Sequence, residues 1–328
     1  MKKRLLGRTG LEIGELSLGG LFVASFAAEQ AEANAAVKRA LELGVNYIDT
    51  APTYGNSEES LGIALEGLDF NYYIATKLGG KPVPFNAQDK KALMFSFEES
   101  LRLLKKDHVD LLLIHEPDRP GQNDWWSDKD NFYGPVSDLL AELKDKGLIK
   151  YIGLGGTTAY QMPKIMDTGV YDVVLTAFQY SLLWREAAIE VLPTAKKHNM
   201  GIIIGSPLQQ GALAKKWPEV ETGAWWLSSV RQKQFKALYS LADDLAMELP
   251  ELALRFVLSN PDVSTVLMGP RSVTEVEKNI ASAEKGPLPA DVLKRLETIA
   301  EMVPFRPFEE PFSLPFGSKN YLGPWLAR

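Results

Sequence analysis

Four ionisable side chains fall at or just beyond the ends of short apolar runs. Asp49 lies in NYIDT (46–50), Tyr54 in the turn that follows, Lys77 at the end of YYIATK (72–77) and His115 at the end of VDLLLIH (109–115). Singly they have ordinary explanations, because an Asp or Lys at a strand end is most often solvated and a tyrosine near a turn is common. Their succession at three consecutive run ends carries the chemical reading. A phenol in water titrates near ~10, too high for efficient acid–base work at neutral pH. A neighbouring ammonium favours the phenolate and lowers that value, and a carboxylate holds the ammonium charged and oriented. Asp49, Lys77 and Tyr54 therefore read as a relay in which Tyr54 exchanges a proton. His115 can donate a hydrogen bond to a carbonyl or alkoxide oxygen as charge develops. Such a set suits reversible proton transfer at an oxygen, the counterpart of hydride transfer at its carbon. A hydride needs a carrier, which implies a nicotinamide cofactor.

These groups meet only if the runs they terminate share one face. Apolar runs predict eight strands, at Glu15–Gly20, Asn46–Thr50, Tyr72–Lys77, Val109–His115, Lys150–Gly155, Val173–Tyr180, Gly201–Pro207 and Thr265–Gly269. Between them, apolar residues at i, i+3 and i+4 predict helices over 30–43, 57–66, 89–104, 135–146, 160–168, 186–198, 229–247 and 273–284. A further short helix is expected over Pro250–Ser259, and Ser57 ahead of Glu58 and Glu59 has the look of a helix cap. Eight strands with a helix after each predict a single (β/α)8 TIM barrel, domain 1–328, whose strand carboxyl ends form one active face. An open doubly wound sheet would need a topological switch point, and no spacing marks one.

Three segments decorate this repeat. Gly7 and Gly10 between RLL and LEI predict an N-terminal β-hairpin. The stretch Glu116–Gly134 after the fourth strand is long and polar but holds Trp125, Trp126, Phe132 and Tyr133, which argue against disorder. The tail from Pro304, rich in proline and phenylalanine and ending near Tyr321 and Trp325, is expected to fold over the catalytic face. Both long segments either wall a pocket there or pad the exterior and form a subunit contact.

The 328 residues are 45% apolar and 24% charged, enough to build a large core. A net charge of −6 with scattered basic residues argues against a nucleic-acid partner. No apolar run approaches the roughly 18 residues of a membrane span, and MKKRLLGRTGLEIG lacks the features of a secretory signal. A cytoplasmic location is the expectation. The absence of cysteine rules out disulfides and thiolate nucleophiles. With only His108, His115 and His198, no metal site is expected.

NYIDTAPTYG with SEESLGIAL, then IATK, then VDLLLIHEPD resemble, in order and spacing, the signature of the aldo-keto reductase superfamily. The resemblance runs from GRTGLEIGELSLGG to GPRSVTEVEKN, nearly the whole chain. It implies a (β/α)8 barrel that binds NAD(P)(H) without a Rossmann domain, and it places Asp49, Tyr54, Lys77 and His115 on the family's catalytic tetrad. It further implies cofactor contacts from Gln179 near the nicotinamide amide. Ser206, Leu208 and Gly211 of SPLQQG would run along the pyrophosphate, and Gly269, Arg271, Ser272, Glu275 and Asn279 would lie at the adenosine end. Backbone amides at the start of the last barrel helix would also favour phosphate. Two positions depart from the family pattern. Gly155, Gly156 and Thr157 stand where many members carry Ser-Asn, and Gly205 stands where many carry an aromatic that stacks on the nicotinamide.

Glu275 stands where NADP-preferring relatives often place Arg or Gln. A carboxylate there would repel a 2′-phosphate of roughly −1.5 to −2 charge, so NAD is the expected cofactor rather than NADP. Arg271 is the counter-argument, unless it is held in a surface ion pair. Within the superfamily, VDLLLIHEPD, DVVLTAFQYSLL and GPRSVTEVEKN look most like the sugar dehydrogenase branch, whose members oxidise the anomeric carbon of an aldose to a lactone. Phe22, Trp125 and Trp126 would then face the sugar, and Glu116 or Asp118 would bind its hydroxyls or else serve the loop as caps and ion pairs. The alternatives are an NADPH-dependent reductase of aldehydes or ketones, and a non-catalytic cofactor-binding subunit. The chain leaves oligomeric state open.

Overall fold

A strand covered on both faces reads as an unbroken apolar run, and Leu111, Leu112, Leu113 and Ile114 are all inaccessible to solvent. A computed structural model of the chain describes residues 1–119, 121–307, 310–311 and 313–317. Its strands, in chain order, are β1 (Lys3–Leu5), β2 (Glu12–Gly14), β3 (Leu16–Gly19), β4 (Tyr47–Asp49) and β5 (Tyr73–Leu78). There follow β6 (Val109–His115), β7 (Ile149–Gly156), β8 (Val173–Ala177), β9 (Gly201–Gly205) and β10 (Thr265–Met268). Strands β3 to β10 pair in sequence, all parallel, and β10 closes on β3. The eight-stranded TIM barrel is thus observed.

The two faces of each strand do different work. Ile48, Ile74, Leu112 and Ile114 belong to the large core under the helices, each such side chain stabilising the fold by about 1.5–3 kcal/mol. Tyr47, Ala75, Leu111, Leu113, Val173, Leu175, Ile203 and Leu267 fill the barrel interior. The antiparallel hairpin β1–β2 caps the amino-terminal mouth, adding Leu6 and Ile13 to that interior cluster. Gly7, at φ 51°, is needed at the turn, since a Cβ there would fall 2.2 Å from the Gly201 nitrogen.

Helices follow the expected positions, with differences that have local causes. The 186–198 stretch divides into a 3-10 turn at Glu186–Ala188 and a helix Val191–Lys197. The helix Ala290–Ala300 was not expected from the sequence, although Pro289 ahead of Val292, Leu296, Ile299 and Ala300 carries its periodicity. A short helix at Pro218–Thr222 also went unforeseen. Ser57 is not a cap. It is the first residue of its helix, and its buried hydroxyl donates to the Gly20 carbonyl at 2.6 Å and contacts Thr50 Oγ1 at 2.8 Å.

The tail packs back on the barrel. Buried Arg231 of the helix Ser229–Asp244 donates to both Glu310 oxygens, at 2.7 and 3.0 Å. Phe316 stacks on Trp217 at 5.6 Å, and Trp217 in turn donates to the carbonyl of Gly211. Tyr321 and Trp325 lie outside the described residues. Among the described residues, no helix is long and apolar enough to cross a membrane, and no three His, Asp or Glu side chains converge as a metal site.

Candidate active site

Side chains alternate along a strand, so the interior parity that places Tyr47, Ala75 and Leu113 inside the barrel also carries Asp49, Lys77 and His115 at the next inward positions. Register then lifts each strand past its neighbour. Asp49 pairs with Ala75, two residues before Lys77, and Lys77 pairs with Leu113, two residues before His115. The three polar groups therefore climb the inner wall at the carboxyl ends of β4, β5 and β6. Tyr54 reaches the same place from the turn after β4.

Lys77 Nζ lies 2.5 Å from Asp49 Oδ1 and donates to the Thr50 carbonyl at 2.8 Å. Both side chains are buried, and Asp49 Oδ2 has no hydrogen-bond partner. The ammonium stands 4.9 Å from the centroid of the Tyr54 ring. The Tyr54 and His115 rings meet nearly at right angles, 5.7 Å apart, both half-buried at the top of the pair. Thr53 Oγ1 approaches His115 Nδ1 at 3.3 Å.

The electrostatics correct one expectation. Burial pushes the Tyr54 phenol above its ordinary range, and Lys77 pulls it down only part of the way, opposed by Asp49. The phenol of the free protein is thus not acidic in absolute terms. What Lys77 does is cancel part of the cost of burial. Burial raises the Asp49 carboxyl against the pull of Lys77. Burial also opposes the Lys77 charge, but Asp49 and Tyr54 outweigh it and hold the ammonium above the usual lysine range. His115 is pushed down to about 3 by burial, then by Lys77 and Arg119, so its imidazole is neutral.

The candidate cofactor residues occupy the other half of the rim, after β7 to β10. Gln179 Nε2 donates to the Thr157 carbonyl at 2.8 Å. Ser206, Gln209 and Gln210 all take left-handed backbone angles of φ 50–53°, followed by Gly211 at 99°. Within this turn Pro207 has no N–H, and the N–H groups of Gln209 and Gly211 donate to the carbonyls of Ser206 and Leu208 at 3.0 and 3.1 Å. Leu208, partly buried, packs against the large core from within that turn. Beyond β10, a Cβ on Gly269 would lie 2.6 Å from Phe22 Cδ2, so Phe22 packs against the start of the 269–279 segment. Ser272 caps the helix Val273–Glu284 by accepting from Glu275 N–H. Arg271 donates to Glu275 through its backbone N–H and its guanidinium, both at 2.8 Å. Asn279, one turn on, shares the Glu275 face of that helix.

The expected substrate residues divide. Trp125 is buried, its ring 5.6 Å from Phe85 and within 3.6 Å of where a Gly79 Cβ would be, on the side of His115. Gly79 and Gly80 take φ of 126° and 78°, and a Cβ on Gly80 would fall 2.4 Å from the Thr53 methyl. Trp126 is buried in edge contact with Phe132 and serves the loop's own packing. Glu116 is engaged by Arg119 at 3.1 Å, by Gln122 and by Thr157 Oγ1. Asp118 is buried, and its Oδ2 accepts from Thr157 N–H, Thr158 N–H and Thr158 Oγ1, as a cap of the loop. Thr53 was missed, and its only signal in the sequence is adjacency to Tyr54.

Comparison with known proteins agrees with this layout. The Aldo/keto reductase family model matches residues 15–301. L-galactose dehydrogenase of Arabidopsis thaliana is 30% identical over 314 residues, covering 92% of this chain and 94% of that protein. D-threo-aldose 1-dehydrogenase of a Pseudomonas species is 26% identical, covering 82% and 87%. The solved holo form of an aldo-keto reductase from Bacillus halodurans superposes with a TM-score of 0.75 at 26% identity, covering 92% of this chain and 97% of that one. With a family match over most of its length and an eight-stranded parallel barrel, this chain belongs to the aldo/keto reductase family.

Proposed function

We propose that this protein is an NAD-linked dehydrogenase that oxidises the anomeric carbon of an aldose to a lactone, acting as a single barrel domain over residues 1–328. One observation carries the reading: the Tyr54 phenol stands between the Lys77 ammonium and the neutral His115 imidazole, at the open end of the barrel. In this reading Tyr54 takes the proton from the C1 hydroxyl. Lys77, fixed by Asp49, favours the phenolate that accepts it, and His115 orients the same oxygen through a hydrogen bond. The bound nicotinamide supplies the other half of the chemistry by accepting hydride from that carbon. The residues present fit such a group, because the amino end of the helix Val273–Glu284 offers backbone N–H groups for phosphates. Gln179, Ser206, Leu208, Gly211, Gly269, Arg271, Ser272, Glu275 and Asn279 would hold it.

The preference for NAD rests on Glu275. Its carboxylate already engages Arg271, so a 2′-phosphate approaching that guanidinium would also lie against the acid, whereas ribose hydroxyls can donate to it. Support for an aldose comes from the names of two relatives, the L-galactose and D-threo-aldose dehydrogenases. Trp125 beside Gly79 would provide an apolar wall for the sugar ring. The test is a kcat/KM panel of aldoses with NAD against small aldehydes with NADPH. Efficient aldehyde reduction with NADPH, without aldose oxidation, defeats the proposal in favour of a broad carbonyl reductase.

A further inference from the structure

The GLGGTT departure from the family's Ser-Asn has a partner elsewhere in the chain. A Cβ on Gly156 would lie 2.6 Å from Asp118 Oδ2 and 1.9 Å from Met162 Cε. Only glycine lets the Asp118 carboxylate come this close. That carboxylate, 1% exposed, gathers the N–H groups of Thr157 and Thr158, at 3.1 and 2.6 Å, and the Thr158 hydroxyl at 2.9 Å onto one oxygen. Its other oxygen, Oδ1, is buried without a partner. The turn so held is tied at two more points, with Thr157 carbonyl accepting from Gln179 and Thr157 Oγ1 donating to Glu116. The residue before it, Gly155, lies against the stem of Lys77, where a Cβ would sit 3.3 Å from Cε.

We propose that Asp118 is a positioning residue of the nicotinamide pocket: its carboxylate fixes the Gly156–Thr158 turn between Gln179 and Lys77, and loss of its charge loosens that turn and weakens dinucleotide binding. The inference rests on the cofactor reading above. Charged acceptors make the stronger hydrogen bonds, so a neutral Asp118 holds the same three donors less firmly. Protonation has an available site at Oδ1, but that oxygen has no acceptor nearby to satisfy the new O–H. Burial raises the Asp118 carboxyl to about 6, against the pull of Thr158, with Glu116 adding to the rise. The switch therefore falls where enzymes are ordinarily assayed. The charged groups facing it are Glu116 and its partner Arg119 on the same loop, and Lys77 across Gly155, while His115 is neutral. Met162 of the helix Met162–Met166 meets the turn, and Lys164 is exposed.

The test titrates NAD and NADH into the protein, following tryptophan fluorescence, between about pH 5 and pH 8, on either side of the Asp118 midpoint. The unmodified protein should bind severalfold more weakly at the acid end, with a midpoint near that of Asp118. Asp118→Asn should bind about tenfold more weakly at the alkaline end and lose the pH dependence, a tenfold change being the equivalent of about one charge-assisted bond. Its effect should appear in KM for the dinucleotide more than in kcat. Thr158→Val, which removes one of the three donors and leaves the carboxylate, should shift affinity in the same direction by less and keep the pH dependence. Equal affinity and an unchanged pH profile in both variants overturn the inference while leaving the dehydrogenase reading intact. No dinucleotide binding by the unmodified protein overturns both.

Discussion

Lys77→Met separates what the buried cation does for the fold from what it does for the chemistry. The ammonium makes two hydrogen bonds, to Asp49 Oδ1 and the Thr50 carbonyl, both out of reach of water. Removing it strands Asp49, whose Oδ2 is already without a partner, as an unpaired buried carboxylate. Breaking a buried pair in this way typically costs about 3–5 kcal/mol, a large part of the roughly 5–15 kcal/mol that holds a domain folded. The loss should depend on pH. Burial already raises Asp49, and without Lys77 nothing opposes it, so the folded state binds the proton more tightly than the unfolded chain. A carboxyl raised on folding penalises the native state increasingly as pH climbs through its unfolded value of about 3.9 toward the folded one. The deficit of Lys77→Met should therefore shrink as pH falls. Asp49→Asn/Lys77→Met removes the stranded charge and should recover to within about 1–2 kcal/mol of the unmodified protein, with little pH dependence. Neither variant should regain turnover, because Tyr54 lacks its cation in both. Urea unfolding at about pH 5 and pH 8 gives the stabilities, and the absorbance of reduced nicotinamide gives the rate. A double variant as unstable as Lys77→Met, or one with restored turnover, would refute the assigned roles.

Tyr54→Phe should lower kcat by about 10²- to 10⁴-fold, the usual worth of a general acid–base, while dinucleotide affinity measured by fluorescence stays nearly unchanged. Glu275→Gln should raise kcat/KM with NADP relative to NAD by about tenfold, from relief of repulsion worth about 1.4 kcal/mol; an unchanged ratio removes the argument for NAD. Because the folded His115 is held down at about 3, it contributes stability that is present above its unfolded value of about 6.5 and lost as pH falls between the two. The stability difference between the unmodified protein and His115→Gln should therefore narrow on acidification through that window, and kcat/KM for the second substrate at saturating dinucleotide should show no histidine limb between about pH 5 and pH 8.

Much of the barrel was legible because its strands are buried on both faces, so continuous apolar runs such as VDLLLIH marked them to within a residue or two, except that the strand expected over Val173–Tyr180 ends at Ala177, where Phe178 turns to φ 68°. The meeting of Asp49, Lys77 and His115 on one rim was legible for a related reason. Strand parity is a property of sequence, and Asp49, Lys77 and His115 share the parity of Tyr47, Ala75 and Leu113. What escaped were features set by contacts between distant segments. The Ser57 hydroxyl is consumed by Gly20, not by its own helix. The acidity of Tyr54 depends on a balance of burial against charge that no spacing reports. Whether Arg271 opposes or neutralises Glu275 follows from a side-chain rotamer, which the sequence does not record.

The two departures from the family pattern show where this boundary lies. At Gly205 the structure leaves a small residue facing Ala177, and a Cβ there would come within 3.2 Å of the Ala177 Cβ. An aromatic would have to project past that contact, so the glycine belongs to a close approach of two strand ends, β8 and β9, rather than to a lost stacking surface alone. Gly156 follows the same logic across a longer distance, since its missing Cβ is what admits Asp118 from the loop after β6. Each glycine can be read as a deletion from a pattern when viewed along the chain. Viewed in the barrel, each is the space required by a side chain that the pattern does not include, and Gly156 with Asp118 should therefore be exchanged together or not at all. Gly156→Ala should by itself loosen dinucleotide binding in the manner of Asp118→Asn, since the added methyl must displace either the carboxylate or Met162. An alanine variant with unaltered affinity and an unaltered pH profile would show that the turn does not depend on that contact.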